Sequence, residues 1–266
     1  MNEIPAADGS FLISAGRSVS TPFKVRLHSD SGEEELTCNR ILRNLPGRRL
    51  VCGGEKNGEE IVVKFFLDKK RSERHCIREE RGNLALKEAG IAAPQILLKG
   101  RLKPFGGPAL VFSKIDPGLD FTDAWQQAES DEQRSRLLKS LASATAAMHE
   151  AGLIHNDAHP GNFMISGGLL YAIDGASVNI RSRGKPLSKD RSLKNLAAFF
   201  AQFSVRFDYL LPDAFEAYVK KRKWPQNNQL LHGRLAGQVR IQRKKREKNY
   251  LKKIYRKSSA HVCKKS

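Results

Sequence analysis

The stretch from Leu153 to Gly175, LIHNDAHPGNFMISGGLLYAIDG, constrains this chain more than any other. His155-x-Asp157 is followed by Asn162, five residues after the aspartate. Phe163–Ile165, the turn residues Ser166-Gly167-Gly168 and Leu169–Ile173 then read as a β-hairpin that delivers Asp174-Gly175 at the mouth of a strand. Asp157 and Asn162 share one short loop, so both can face one pocket. Phosphoryl transfer needs this set of parts. One carboxylate accepts the proton of the attacking hydroxyl, and an amide oxygen and a second carboxylate hold Mg²⁺ on the phosphates of ATP. The roles that follow are base for Asp157 and metal ligands for Asn162 and Asp174. Single HxD or DG matches are common, whereas the ordered set of loop, hairpin, apolar strand and DG is rare.

The rest of the chain must supply a fold around that stretch. At 266 residues it can hold one two-lobed domain or two small ones, and a hydrophobic content of 40% suffices for a real core. Apolar runs such as Ala197–Ala201 are short, so no membrane span is expected. MNEIPAADGS lacks a basic region leading into an apolar one and does not read as a secretory signal. Cys38, Cys52, Cys76 and Cys263 show no metal-ligand spacing and read as thiols in a reducing cytosol. The net charge of +19 is uneven: Lys220 to Ser266 carry 17 of the 47 Lys and Arg and one acid, Glu247, so that +16 belongs to the tail.

In chain order, residues 1–20 read as a mobile lead-in with little to bury. Pro22–His28 alternates well enough for an edge strand, and Pro46-Gly47 breaks the stretch Leu36–Leu45. Arg49–Gly53 and Ile61–Phe66 read as strands joined at Asn57-Gly58, a hairpin signal. Arg71–Ala89 is a helix with Ile77, Leu84 and Leu86 as its buried face, and Ile96–Leu102 and Pro108–Phe112 are the next strands. Gln133–Ala151 is an amphipathic helix stopped by Gly152, and Arg191–Phe203 is a core helix. His149 reads as packing, and His155 as a brace behind the loop. His159 lies within the loop, either idle or against substrate or phosphate.

On these residues the chain resembles the protein-kinase-like superfamily, in the form of the lipopolysaccharide core (Kdo and heptose) kinase family. DAHPGN is similar to the HPGN-type loops of bacterial small-molecule and sugar kinases, and Arg40–Val51 looks like the start of a lipopolysaccharide-kinase subgroup of Gram-negative bacteria. The resemblance spans roughly residues 36–205. Departures are also present. Asn156 stands where the catalytic-loop arginine would be, Ala176 follows Asp174-Gly175 so that there is no DFG, no A-P-E follows, and Lys194-Asn195-Leu196-Ala197 resembles a KDLA-like helix with Asn195 in place of aspartate. These argue against a regulated activation loop and against peptide as the default substrate.

The resemblance implies an α+β, two-lobed fold with a small β-rich N-lobe (21–112) and a mainly helical C-lobe (113–225). A mobile segment (1–20) precedes it and a basic, helical tail (226–266) follows. It implies Lys64, inside the strand Ile61–Phe66, as the phosphate-anchoring lysine, the other reading being a solvent-face residue. Glu79 stands where the family's helix carries the glutamate that pairs with that lysine, with Glu80 as the adjacent alternative. Leu45-Pro46-Gly47-Arg48-Arg49 replaces the usual Gly-rich loop, and backbone amides or the two arginines would cover the phosphates. Ser113–Asp116 would be the hinge that holds adenine. Arg181, Arg183 and Lys185 border the acceptor or form a solvated loop. The implied activity is ATP- and Mg²⁺-dependent phosphorylation of a heptose or Kdo hydroxyl on a lipid-linked core oligosaccharide, in the cytoplasm and peripheral on the inner face of the cytoplasmic membrane.

The tail, 229–257, interleaves Lys and Arg with apolar residues such as Leu235, Val239, Tyr250 and Leu251. It reads as a helix on an anionic membrane or packed on the C-lobe; nucleic acid is disfavoured because no binding signature accompanies it. The alternative enzyme is a RIO-like protein kinase, and the alternative outside enzymes is a non-catalytic kinase-like scaffold.

Overall fold

The computed structural model describes residues 3–104, 106–182 and 184–262, with side chains to residue 254. Two compact units emerge: Met1–Gly118 with Met164–Val178, and Leu119–Phe163 with Asn179–Ser266.

The first unit is built on a closed six-strand barrel. Its strands are β1 (Phe23–Ser29), β2 (Gly32–Leu45), β3 (Arg49–Lys56), β4 (Glu59–Phe66), β5 (Ile96–Leu102) and β6 (Pro108–Ser113). Their order is β1-β2-β3-β4-β6-β5, closed by β1 against β5 through Leu27↔Leu102. The sequence expectation of an edge strand at Pro22–His28 is therefore corrected: β1 is paired on both sides, because closure consumes every edge. Asn57 (φ 51°) and Gly58 (φ 81°) make the β3–β4 turn, where the left-handed conformation matches the twist of the strands.

Alternation sorts the strand side chains. On β4, Ile61, Val63 and Phe65 point into the barrel with Leu27, Leu36, Cys38 and Cys52. Phe66 faces outward with Leu110 and Phe112 of β6 and meets Cys76 on α2 (Ser72–Glu88). The N-terminal segment, expected to have little to bury, places Ala7, Leu12 and Val19 in the core. Its helix α1 (Gly9–Ser14), capped by the Asp8 side chain on the Phe11 N–H, buries Leu12 to 1% exposure in the barrel cluster. The face of α2 also differs from expectation. Ile77 is 53% exposed and Leu84 46%, while Cys76, Glu79, Gly82, Asn83 and Leu86 are buried. A helix that must approach a backbone turn closely buries small and polar residues, which hydrophobic periodicity does not reveal.

Residues 163–172 form the expected hairpin, Phe163–Ser166 and Leu169–Ala172, turned by Gly167 (φ 54°) and Gly168 (φ 76°). In the first unit it is tied down where the Ala172 N–H donates to Ala92 O at 2.9 Å.

The second unit is helical: α3 (Phe121–Gln127), α4 (Asp131–Glu150), α5 (Lys189–Phe200), α6 (Leu211–Lys221) and α7 (Gln229–Val262). A Ser130–Gln133 capping box starts α4, which buries Leu138, Leu141, Met148 and His149. Gly152 ends it at φ +75°, where a Cβ would lie 1.7 Å from Ser182 O. Arg222, 4% exposed, follows α6 and joins three segments by donating to Glu150, to Ser192 Oγ at 2.7 Å and to Leu187 O at 2.9 Å. Helix α7 packs on this unit through Leu231, Leu235 and Val239, spaced one helical turn apart, and Arg243 pairs with Asp208. Of the readings of the tail, packing accounts for its first half. Among the described residues no helix is long and apolar enough to cross a membrane. Cys38, Cys52 and Cys76 are free and buried; Cys263 and Arg183 lie outside the described residues.

Candidate active site

Strand alternation places Lys64 on the face of β4 opposite the barrel interior, the face that Phe66 shares with α2. There its ammonium pairs with Glu79 Oε1, lies 5.1 Å over the Phe112 ring and donates to Ile173 O at 3.0 Å. Glu79 is 1% exposed, and its second oxygen accepts the Ala176 N–H at 3.2 Å, with Arg49 at 3.9 Å. The pair thus grips the backbone on both sides of Asp174-Gly175: the carbonyl before it and the amide after it. Glu80 goes elsewhere, pairing with Lys99 at 2.6 Å. A carboxylate buried this deeply persists only because each oxygen is matched by charge or hydrogen bond.

Contact between α2 and the Asp174-Gly175 turn requires glycine on both. A Cβ at Gly82 would sit 1.9 Å from Gly175 O, and one at Gly175 would sit 2.4 Å from Glu79 O and 2.8 Å from the Asn83 nitrogen. Asn83 fixes the other flank by donating to Pro94 O at 2.9 Å. Asp174 itself accepts the Ser177 hydroxyl at 2.7 Å. The expected phosphate-covering stretch is a tight turn between β2 and β3, closed by the Arg48 N–H on Leu45 O at 2.9 Å, with Gly47 at φ 65°.

In the second unit, α4 leads through Leu153–His155 into the loop that carries Asp157. Backbone and side chains converge on the Asp157 carbonyl: His155 Nδ1 at 2.8 Å, the His159 N–H at 2.7 Å and Asn162 Nδ2 at 2.8 Å. Because that partner only accepts, His155 Nδ1 carries the proton. The His155 ring is buried between Phe163 and Phe199, with centroids 5.8 and 6.1 Å away, so it braces the loop from behind. The Asp157 carboxylate is left at the surface. Asn162 spends its amide nitrogen on the loop, and its amide oxygen is the atom available to a cation. The exposed His159 ring accepts the Gly161 N–H at 3.0 Å.

Two supporting residues carried little signal in the sequence. Gln202 donates to Ala158 O at 2.8 Å. Asn195 donates to His155 O at 2.9 Å and turns its amide oxygen to His149 Nε2, also at 2.9 Å. That geometry protonates Nε2, so His149 Nδ1 accepts the Tyr218 hydroxyl at 2.8 Å. Burial and the nearby Arg222 charge push the His149 pKa down to about 4, although Asn195 opposes the shift. His149 is therefore neutral packing, as its helix position suggests.

Among the described residues no group of three or more His, Cys, Asp or Glu could hold a metal. Mg²⁺ in a kinase takes a carboxylate, an amide oxygen and phosphate oxygens. Asp174 and Asn162 offer hard oxygen donors of this kind.

The barrel unit with its buried lysine–glutamate pair and the helical unit with its braced aspartate loop have the parts of a protein-kinase-like fold, and a family match and one superposition agree. Residues 61–176 match the model of the lipopolysaccharide kinase (Kdo/WaaP) family, a kinase family, and so bear out the resemblance drawn from the sequence. The solved structure of WaaP in complex with acyl carrier protein superposes with a TM-score of 0.54 at 23% identity, covering 79% of this chain and 88% of that one, and shows a common fold. The PknI kinase domain of Mycobacterium tuberculosis gives a TM-score of 0.44 at 14% identity, covering 78% and 95%. No curated protein sequence matches the chain.

Proposed function

We propose that this chain is an ATP-dependent kinase that phosphorylates a sugar hydroxyl, heptose or Kdo, of the lipopolysaccharide core. The observation that carries the reading is the Lys64–Glu79 pair gripping Ile173 O and the Ala176 N–H around Asp174. A buried ion pair used to fix a two-residue turn makes sense when the carboxylate in that turn must be held for chemistry. In this reading Lys64 binds ATP phosphates and Glu79 orients Lys64. Asn162 and Asp174 hold Mg²⁺, which when bound with ATP neutralises phosphate charge. Asp157 orients the acceptor hydroxyl and takes its proton. The loop's rigidity keeps Asp157 from relaxing away, and general-base positioning of this kind contributes about 10²–10⁴-fold to rate.

We assign residues 21–112 to an N-lobe, 113–225 to a C-lobe and 226–266 to a basic tail. The distal tail, with exposed Lys244, Lys245 and Lys248 beside exposed Tyr250 and Leu251, supports a peripheral association with the anionic inner face of the cytoplasmic membrane, close to a lipid-linked acceptor.

The test is Mg²⁺-dependent transfer from γ-labelled ATP, with purified core lipopolysaccharide and a generic protein offered together. Label enters the lipopolysaccharide with the unaltered chain and is lost with Asp157→Ala and Asp174→Ala, both of which stay folded. Label only in the protein acceptor overturns the sugar-kinase reading. Turnover retained in Asp174→Ala overturns the metal assignment.

A further inference from the structure

Within the second unit a cavity of about 380 Å³ opens against the loop that carries Asp157, with His159 and Pro160 in its wall. Its volume falls in the range of small-molecule sites. Trp125 of α3 forms one side; its ring packs on Phe203 with centroids 4.5 Å apart and edge-on to Phe207 at 5.1 Å. Two guanidinium groups lie over the Phe207 ring, Arg134 at 5.1 Å and Arg206 at 4.6 Å. A third, Arg246, reaches in from α7 and is anchored by donating to Ala201 O.

The charge in this wall is one-sided. Among the described residues no Asp or Glu lines the cavity; the remaining lining is neutral and hydrogen-bonding, Gln126 and Gln202 among it. Arg134 has Asp131 at 3.6 Å, but Arg206 and Arg246 make no ion pair among the described residues. Burial and the charge of Arg243 push the Arg246 pKa down, which marks the region as short of negative charge. A solvated surface would not need to stack arginines on a ring or hold a tryptophan edge-on beside them. Planar guanidinium forks match phosphate and carboxylate oxygens, and a half-exposed indole face suits the apolar face of a sugar ring.

We propose that this cavity is an acceptor subsite that binds a saccharide through an oxyanion substituent, phosphate or carboxylate, held by Arg206 and Arg246 with Arg134 behind them, the sugar ring lying on Trp125. The name "acceptor" rests on the kinase reading above; the binding of an anionic saccharide does not. The site would select acceptors that already bear a negative group and hold them beside Asp157.

Isothermal titration of the full chain with glucose, glucuronate, glucose 6-phosphate and inorganic phosphate tests this. At least one of the two anionic sugars binds ten or more times tighter than glucose and than inorganic phosphate, and the comparison of the two shows which oxyanion is preferred. Arg206→Gln weakens that binding by about tenfold or more and Arg206→Glu abolishes it, while both keep the thermal midpoint of the unaltered chain, because Arg206 is exposed and lies over the Phe207 ring without an ion pair among the described residues. Raising salt weakens the anionic sugars and leaves glucose unchanged. Equal binding of glucose, binding of inorganic phosphate as tight as that of the sugars, indifference to Arg206→Glu, or no heat from any ligand up to about 10 mM overturns the proposal. Asp157→Ala keeps the binding and loses phosphoryl transfer. A failed kinase assay with intact sugar binding therefore sinks the earlier reading alone, and the reverse result sinks this one alone.

Discussion

At the residue scale, the Asp174-Gly175 turn is held by atoms that leave no room for change. Gly82→Ala puts a methyl 1.9 Å from Gly175 O, where neither partner is a flexible side chain. Helix or turn must move, so the expected outcome is a loss of about 1–3 kcal/mol in thermal unfolding and a larger loss of phosphoryl transfer. Glu79→Gln leaves the Lys64 ammonium without its counter-ion and is expected to cost about 3–5 kcal/mol by denaturant titration. Lys64→Met with Glu79→Leu recovers much of that stability and none of the activity, which separates the pair's chemistry from its packing. His149 gives a pH signature. Its folded pKa of about 4 lies below the ordinary value of 6.5, so the unfolded chain binds the extra proton and stability falls as pH drops from about 6.5 towards 4. The loss amounts to roughly 3 kcal/mol at the lower end, and His149→Gln flattens that part of a stability-against-pH profile. Glu79 was legible in the sequence as one of two adjacent candidates, and only three-dimensional pairing separates it from Glu80, which takes Lys99. Gly82 was not legible, because a helix glycine gives no hint of the carbonyl it makes way for.

At the element scale, local signals carried well and non-local ones did not. The turns at Asn57-Gly58 and Gly167-Gly168 announced their hairpins because positive φ is written in the residue type. Closure of the barrel through β1 and β5 was invisible, since it joins segments about seventy residues apart that carry no matched pattern. The long, charged β2 was equally opaque; its bulges between Cys38 and Arg40 and between Ile41 and Arg43 break the alternation that marks a strand. Helix α7 was legible as a helix, with packing on the C-lobe as one of its readings, and burial of Leu231, Leu235 and Val239 bears that reading out for its first half. Leu235→Ala on its buried face is expected to destabilise the second unit by about 2–5 kcal/mol, and Lys245→Ala on its exposed face by less than about 0.5, both read by denaturant unfolding.

At the scale of the molecule, residues 220–266, the end of α6 and the tail together, hold +16 of the net +19. If the tail serves the proposed membrane role, replacing Lys244, Lys245, Lys248, Lys252 and Lys253 by Gln should abolish sedimentation with vesicles rich in anionic lipid, and added salt should do the same to the unaltered chain. Unchanged sedimentation would leave the tail a packing helix only. The division into units has a different consequence. The barrel unit is discontinuous: residues 164–178 return to it after an excursion of 45 residues, Leu119–Phe163, and they bring Ile173 O and the Ala176 N–H to Lys64 and Glu79. During synthesis on the ribosome the strands of the barrel therefore emerge well before the segment that satisfies its buried ion pair. Lys64 and Glu79 must wait for residue 178 to leave the exit tunnel before the nascent barrel is complete, so a chain stalled or cleaved within the excursion carries a barrel whose charged wall is still unfinished.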